Sequence, residues 1–452
     1  MRHSLLLRLL LLSLSVSLPA QTPAPEAQSE AQPKRYAMPL ADVLKAALDK
    51  SSLTIPGSHP FHVKLVISDV LHPNSGLQAE IEEYWSSPTL WKRTVTGPGL
   101  RQVITRNETG EHFETTGDYF PQWLANFVTA LTDPVPGGIW NRPGLEVLQS
   151  EVQPGVLSTP CADLQLRFDE TSSVPARLCF LPSRAVASVT EPGYLMEFAA
   201  YAPFQTKTVP RLYLTFSGGT VLAGRITTLE SANKKPDFFN VDSPTATATN
   251  PLTSIMPSVA TVKKLLGSPI TAEWPAVHGG MTEGNLAVMV SVDEKGFPRE
   301  ASILQSDNPQ LNATALALVQ KTTFIPAITN GSPVQVAGLL VLPFSTKGDA
   351  PAVEPIPVVP LTGAAAADHA LVNPKPQYPL AASSKHITGD VVLLARINRE
   401  GSVTDVKVVD SPAPSMTDIA LATVKQWKYT PFEVEGIRVE AITTITVNFT
   451  FQ

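Results

Sequence analysis

Cysteine is nearly absent: the 452 residues hold two, Cys161 and Cys179, which excludes a scaffold stapled by many disulfides. Charge is sparse, at 16% of residues, and Lys and Arg form no long run; Lys234-Lys235 and Lys263-Lys264 are only pairs. With a formal charge of −6, the chain lacks the clustered cations that nucleic acid or an anionic membrane surface requires. Past Ala20 no apolar stretch reaches the roughly 20 residues of a membrane span. Catalytic signatures are missing too. There is no phosphate-cradling Gly-rich loop, no Gly-x-Ser-x-Gly elbow, and no pair of His flanking a Glu; His59 and His62 stand close together without it and read as surface residues. Glu82 and Glu83 are adjacent on a strand and point to opposite faces, a poor arrangement for paired carboxylates. No enzyme, metal or cofactor is expected.

Proline is abundant instead, with 42 residues, so strand, turn and extended linker should outweigh helix. The chain opens with a basic tip, a Leu-rich stretch from Leu5 to Leu18 interrupted by Arg8, and a small residue at Ala20, the pattern of a secretory signal peptide at 1–20. Removing Arg2 and Arg8 would take the formal charge from −6 to −8 and leave an exported, periplasmic protein. The alternative is an uncleaved inner-membrane anchor. In an oxidising compartment Cys161 and Cys179 are expected to pair, because "ADLQLRFDETSSVPARL" between them reads as strand, turn, strand. The chain-entropy model assigns such a loop about 3 kcal/mol. Two buried free thiols are the other reading.

Residues 21–35 form a Pro/Ala/Glu linker. From 36 to 243 short strand-like segments such as "FHVKLVISDVL", "LQAEIEEYWSS" and "LRQVITRNE" follow one another between turns, which predicts a β-rich N-terminal domain, an antiparallel sheet or half-barrel. One helix interrupts it: in "PQWLANFVTALTD" the residues Leu124, Phe127, Val128 and Leu131 share a face. Linkers are expected at 244–266, with one short helical piece, and at 347–373, where Pro and Ala dominate.

Between and after these linkers the chain repeats itself. A constant step of 105 residues joins Gly284 to Gly389, Gly296 to Gly401, Ser306 to Ser411, Phe324 to Tyr429, Pro326 to Pro431, Gly331 to Gly436 and Phe344 to Phe449. Each copy, 267–346 and 374–452, reads as strand, tight turn, strand, helix, aromatic-x-Pro stop, Gly turn and last strand. The second is the clearer. "SMTDIALATVKQW" predicts a helix with a capping-box start at Ser415 and Asp418, and Ala420, Val424 and Trp427 on one face. "ITVNFTFQ" predicts a strand with Ile445, Val447 and Phe449 toward that helix and Thr446, Asn448 and Thr450 in water.

Gln377-Tyr378-Pro379, Gly389, Gly401, Trp427-x-Tyr429-x-Pro431 and the closing strand resemble the TonB C-terminal domain, the periplasmic tip of bacterial energy transducers. The first copy is similar but degraded, with Thr322 where Trp427 aligns and Trp274-Pro275 for the Tyr-Pro marker. The resemblance implies binding rather than chemistry: an exposed last strand that pairs with an extended peptide of an outer-membrane transporter, in support of transmembrane transport. Carried onto this chain, that edge is Ile437, Val439, Ala441, Thr443, Ile445, Val447 and Phe449, with Gln377, Tyr378 and Pro379 as the lead-in. Pro343, aligned with Asn448, removes a ladder donor from the first copy, which is expected to be the poorer binder, a spacer or a self-association element. The Leu-rich segment is shorter than the family's membrane anchor and lacks its helix-embedded His, so the docking tip is implied without the motor coupling.

The N-terminal meander resembles periplasmic lipoprotein-carrier half-barrels, which hold an acyl chain against a helix; Tyr84, Trp85 and Trp91 would otherwise be packing and rim residues. The expectation is therefore an exported α+β multidomain protein: a β-rich domain with one disulfide, then two β-β-α-β modules on proline-rich tethers. It would contact envelope proteins by strand pairing or, alternatively, carry a lipid or other hydrophobic ligand.

Overall fold

A computed structural model describes residues 38–450 except 56, 136–145, 148–150, 153–159, 168–172, 182, 192–193, 218, 242–251, 253 and 351–357. The expected signal peptide and first linker lie outside the described residues. No helix among them is long and apolar enough to cross a membrane.

The chain between Phe61 and Ser231 builds one antiparallel sheet. Its strands are β1 (Phe61–Asp69), β2 (Gln78–Ser87), β3 (Leu90–Gly97), β4 (Leu100–Asn107), β5 (Gly110–Thr116), β6 (Cys161–Arg167), β7 (Ser173–Phe180), β8 (Val186–Glu191), β9 (Tyr194–Ala199), β10 (Leu212–Ser217) and β11 (Thr220–Ser231). They lie in the order β5-β4-β3-β2-β1-β11-β10-β9-β8-β7-β6, and the short strand Glu146–Val147 completes the far edge. Alternation along β1 and β2 drives one face inward: Phe61, Val63, Leu65, Ile67 and Ile81 are buried. Glu82 and Glu83 do diverge: Glu82 meets His62, whereas Glu83 is buried with Arg93 at 2.6 Å.

Two helices cover the inner face. α2 (Gln122–Thr132) buries Leu124, Phe127 and Leu131 as its period predicts, with Val128 only half-buried. α1 (Leu40–Ser51) was not expected. Its Val43 and Ala47 are buried, the i, i+4 spacing of an amphipathic helix, in a β-rich stretch where the only helix expected was the one at 121–133. His62 is likewise buried rather than on the surface. It stacks on Tyr84, with ring centroids 4.1 Å apart, and its two nitrogens meet Glu82 and Glu230 at 2.9 and 3.0 Å. Cys161 and Cys179 are bonded and sit opposite each other in the β6–β7 register.

The two copies fold alike. The first contains β13 (Glu283–Val292), β14 (Pro298–Ser306), α3 (Asn312–Gln320) and β15 (Ser332–Ser345), and the stretch before it adds β12 (Ser254–Ile255) to its sheet. The second contains β17 (Gly389–Ile397), β18 (Val403–Asp410), α4 (Pro414–Val424) and β19 (Glu440–Phe449), and the stretch before it adds β16 (Val358–Leu361). Gly284 pairs with Phe344 across β13 and β15, and Gly389 with Phe449 across β17 and β19. The turns repeat atom for atom. Asp293 Oδ1 accepts from the amides of Lys295 and Phe297, and Asn398 Oδ1 from those of Glu400 and Ser402. Gly296 and Gly401 have φ +87° and +81°, and a Cβ on either would lie 2.0 Å from Phe324 O or 1.9 Å from Tyr429 O. Glycine is required at both by conformation and by space.

Two expectations change. α4 starts at Pro414, with Ala413 before it and no side-chain cap, because a proline at the first helical position is already set for the helix; the Ser415 capping box does not form. Nor do the copies hang on free tethers, since residues 37–452 form one compact unit. Val392 and Leu394 of β17 and Val409 of β18 pack with Leu212, Leu214, Val221 and Ala223 of the large sheet, and Ala287 and Leu339 of the first copy join the main core. Thr446, Asn448 and Thr450 are exposed, as the alternation of the closing strand predicts.

Candidate docking edge

β19 is built to bury one face. Ala441, Thr443, Ile445, Val447 and Phe449 are buried, most of them in one core with Met416, Ala420 and Val424 of α4. Tyr429 joins the same core, whereas Trp427 is half-buried and donates to Pro374 O. The lead-in closes one end. Tyr378 donates to Ile387 O and meets Phe449 edge-on at 5.9 Å, Pro379 precedes the short helix Leu380–Ser383, and Gln377 is exposed.

The inner side of β19 is paired along its whole length, from Ala441 opposite Ile397 to Phe449 opposite Gly389. The outer side differs from the expectation of a free edge. From Glu440 to Thr443 it is occupied by the chain's own β16, in parallel, with Val358, Val359, Pro360 and Leu361 opposite Glu440, Ala441, Ile442 and Thr443. The positions of Ala441 and Thr443 are therefore interior to the sheet. Val359 and Leu361 pack against the same core, and Val358 is 42% exposed. Ile437 and Val439 precede β19: Ile437 pairs with Val434 in a small hairpin, and Val439 is buried. From Thr444 to Phe449 no strand pairs on the outer side among the described residues.

The direction of the backbone groups follows from the first copy. Pro343 sits in the β15 ladder opposite Asn285, and a proline is tolerated where its missing N–H would face away from the neighbouring strand. Asn448 holds the same register opposite Asp390, so its amide points outward, as do those of Thr446, Thr444 and Ile442 by the two-residue period. The Thr444 carbonyl does point outward, toward Gly363. Thr446 and Asn448 are exposed, with their backbone donors and acceptors directed to the unpaired side.

A buried acid fixes the junction between the covered and open halves. Glu197 on β9 is 7% exposed, and its Oε2 accepts from the Thr444 hydroxyl and from the Gly363 amide at 3.2 Å. Burial pushes its carboxyl up to about 7, opposed by those two hydrogen bonds. Its Oε1 has no hydrogen-bond partner among the described residues. A cavity of about 260 Å³ opens beside it, lined in part by Phe198, Trp427 and Tyr429. Nothing in the sequence singled out Glu197, because what buries it is β19, more than 240 positions away.

The first copy repeats the covered edge in shorter form: Ser254 and Ile255 of β12 lie parallel to Gln335 and Val336 of β15. Gln335 also clamps the chain before α2, accepting from Phe120 N at 2.7 Å and donating to Phe120 O at 3.0 Å. Glu300 caps α2 by accepting from Gln122 N at 2.9 Å.

Two segments of the chain match the Gram-negative bacterial TonB protein C-terminal family, residues 280–345 and 374–451. These are the two copies, and the match to a TonB C-terminal segment thus includes β17, β18, α4 and β19. No curated protein matches the chain. Among solved structures, a LolA superfamily protein from Nitrosomonas europaea is 9% identical with TM-score 0.25, covering 46% of this chain and 99% of its own. A domain from Vibrio parahaemolyticus, described as an outer membrane lipoprotein-sorting protein domain, is 10% identical with TM-score 0.28, covering 44% and 95%.

Proposed function

We propose that this chain is a cell-envelope protein of TonB-type transport that binds an extended segment of an envelope partner along the outer edge of β19, at Thr446–Phe449. The single observation that carries this reading is the paired-then-unpaired edge. The first half of β19 already holds a parallel strand, and the second presents the outward backbone groups of Thr446 and Asn448 with no strand on them among the described residues. A partner would be held mainly by main-chain hydrogen bonds, so its side chains matter less than its ability to lie extended. The protein is exported, and its partner is an outer-membrane transporter or another envelope protein.

The test is Asn448→Pro. The first copy carries Pro343 at the aligned position, so the fold accepts proline there, and the change removes one outward donor. Native purification from the envelope of the host should recover a partner with the wild-type chain and lose it with N448P, while the melting temperature stays nearly unchanged. Equal recovery with both chains would refute the reading.

The carrier alternative would place an acyl chain beneath α2. That helix sits flush on the sheet: a Cβ on Gly224 would come within 2.8 Å of the Phe127 ring, so a ligand there requires α2 to move.

A further inference from the structure

We propose that residues 358–361 are a built-in competitor for the docking edge: a resident strand that a partner segment must displace to pair with all of β19. The inference rests on the edge reading above and adds what occupies the edge before a partner arrives, and what kind of partner can replace it.

Four observations support it. The pairing is parallel and lies on the same side of β19 as the open edge, so an incoming strand that starts on Thr446 and Asn448 and extends toward Glu440 must displace Thr362 and Gly363 from beside Thr444 and then β16. The contact is small: four residues, of which only Val359 and Leu361 turn toward the core, and both are half-buried. The inner side of β19, by contrast, is held by nine register pairs. Pro360 stands opposite Ile442, and in a parallel ladder the hydrogen bonds of Ile442 go to the residues flanking its partner, so proline there gives up no donor. Finally, the arrangement occurs twice at one place in the repeat, with Ile255 beside Val336 and Val359 beside Ala441.

The occupant defines the partner. It is an extended segment running parallel to β19, apolar at alternate positions in the manner of Val359 and Leu361, and indifferent to side-chain identity at the positions of Val358 and Pro360. Being tethered, the resident strand competes at an effective concentration on the order of millimolar, so a free peptide of similar intrinsic affinity is excluded until the resident leaves.

The experiment uses a fluorescein-labelled peptide with the chain's own sequence 354–365, EPIPVVPLTGAA, titrated by anisotropy against three full-length chains. These are the wild type, the double variant Val359→Asp/Leu361→Asp, and a variant whose residues 356–361 are replaced by six Gly and Ser. Both opened chains should bind the peptide at least tenfold more tightly than the wild type, and a scrambled peptide should bind none of them. Equal binding by all three, or no binding by opened chains that keep their near-ultraviolet circular dichroism, overturns the proposal. Amide exchange in the wild type provides an independent readout should the variants unfold. The outward Ile442 amide should exchange at least tenfold faster than the inner amides of β17, by release of β16 alone; exchange only through global unfolding would overturn the proposal. If opened chains bind the peptide while N448P leaves envelope partners unaffected, the competitor stands and the partner reading falls.

Discussion

Replacing Glu197 with glutamine should flatten the pH dependence of stability. The carboxyl is buried, has no ion pair among the described residues, and is pushed from the ordinary 4.5 to about 7. Between these values the folded chain holds a proton that the unfolded chain has released, so stability is fully present below 4.5 and is lost as pH rises through 7. A displacement of about 2.5 pH units at 1.36 kcal/mol each corresponds to about 3 kcal/mol. Glutamine never ionises, and although its amide leaves one buried group unpaired at a cost of about 1–3 kcal/mol, that cost does not vary with pH. Denaturant unfolding of both chains at intervals from pH 4.5 to 8 isolates the group, because the other titrations cancel in the difference. The wild type should lose about 3 kcal/mol relative to Glu197→Gln across this range, most of it between pH 5 and 7. Parallel profiles would refute the argument that Glu197 is a buried acid clamped between β9 and β19.

Gly401→Ala should destabilise the chain by about 3 kcal/mol or more, because its Cβ meets Tyr429 O while φ is +81°, and Gly296→Ala should behave alike; an unchanged thermal midpoint in both would contradict the shared turn. Reducing Cys161–Cys179 should remove about 3 kcal/mol, read as a drop in the denaturant midpoint of the reduced chain, and no drop would mean that the unfolded hairpin was already constrained. Gly224→Ala should cost about 1–3 kcal/mol by pressing on Phe127 and Leu65. Combining it with Phe127→Leu should recover part of the loss in a double-mutant cycle, and strict additivity would show that α2 does not rest on Gly224.

Much of the second copy was legible because its signals are local. A glycine forced to positive φ, a turn closed by Asn398 or Asp293, a proline that stops a helix and a strand that alternates leave marks within a few residues. Docking of the copies was written less plainly. "VVLLA" at 391–395 is apolar on both faces, the pattern of a strand covered on two sides, and it could have been read as such; Val391 and Leu393 face α4 while Val392 and Leu394 face the large sheet. α1 was missed for another reason. "LADVLKAALDKS" lacks a cap signal and follows a proline-rich stretch, so its Val43 and Ala47 face was the only cue. β16 had no local sign at all. "VVPL" in a Pro/Ala-rich linker reads as extended tether, and the strand it pairs with lies some 80 positions further on.

A partner strand on the open half of β19 would lie within reach of Thr446. A photoreactive amino acid placed at Thr446 in the living host, with Thr404 on the opposite edge strand as the control site, would capture it. Both positions are exposed, and neither substitution touches the core. A strand paired there should give a discrete adduct with an envelope protein from position 446 and none from 404. Adducts from 404 alone, or the same adducts from both sites, would contradict it.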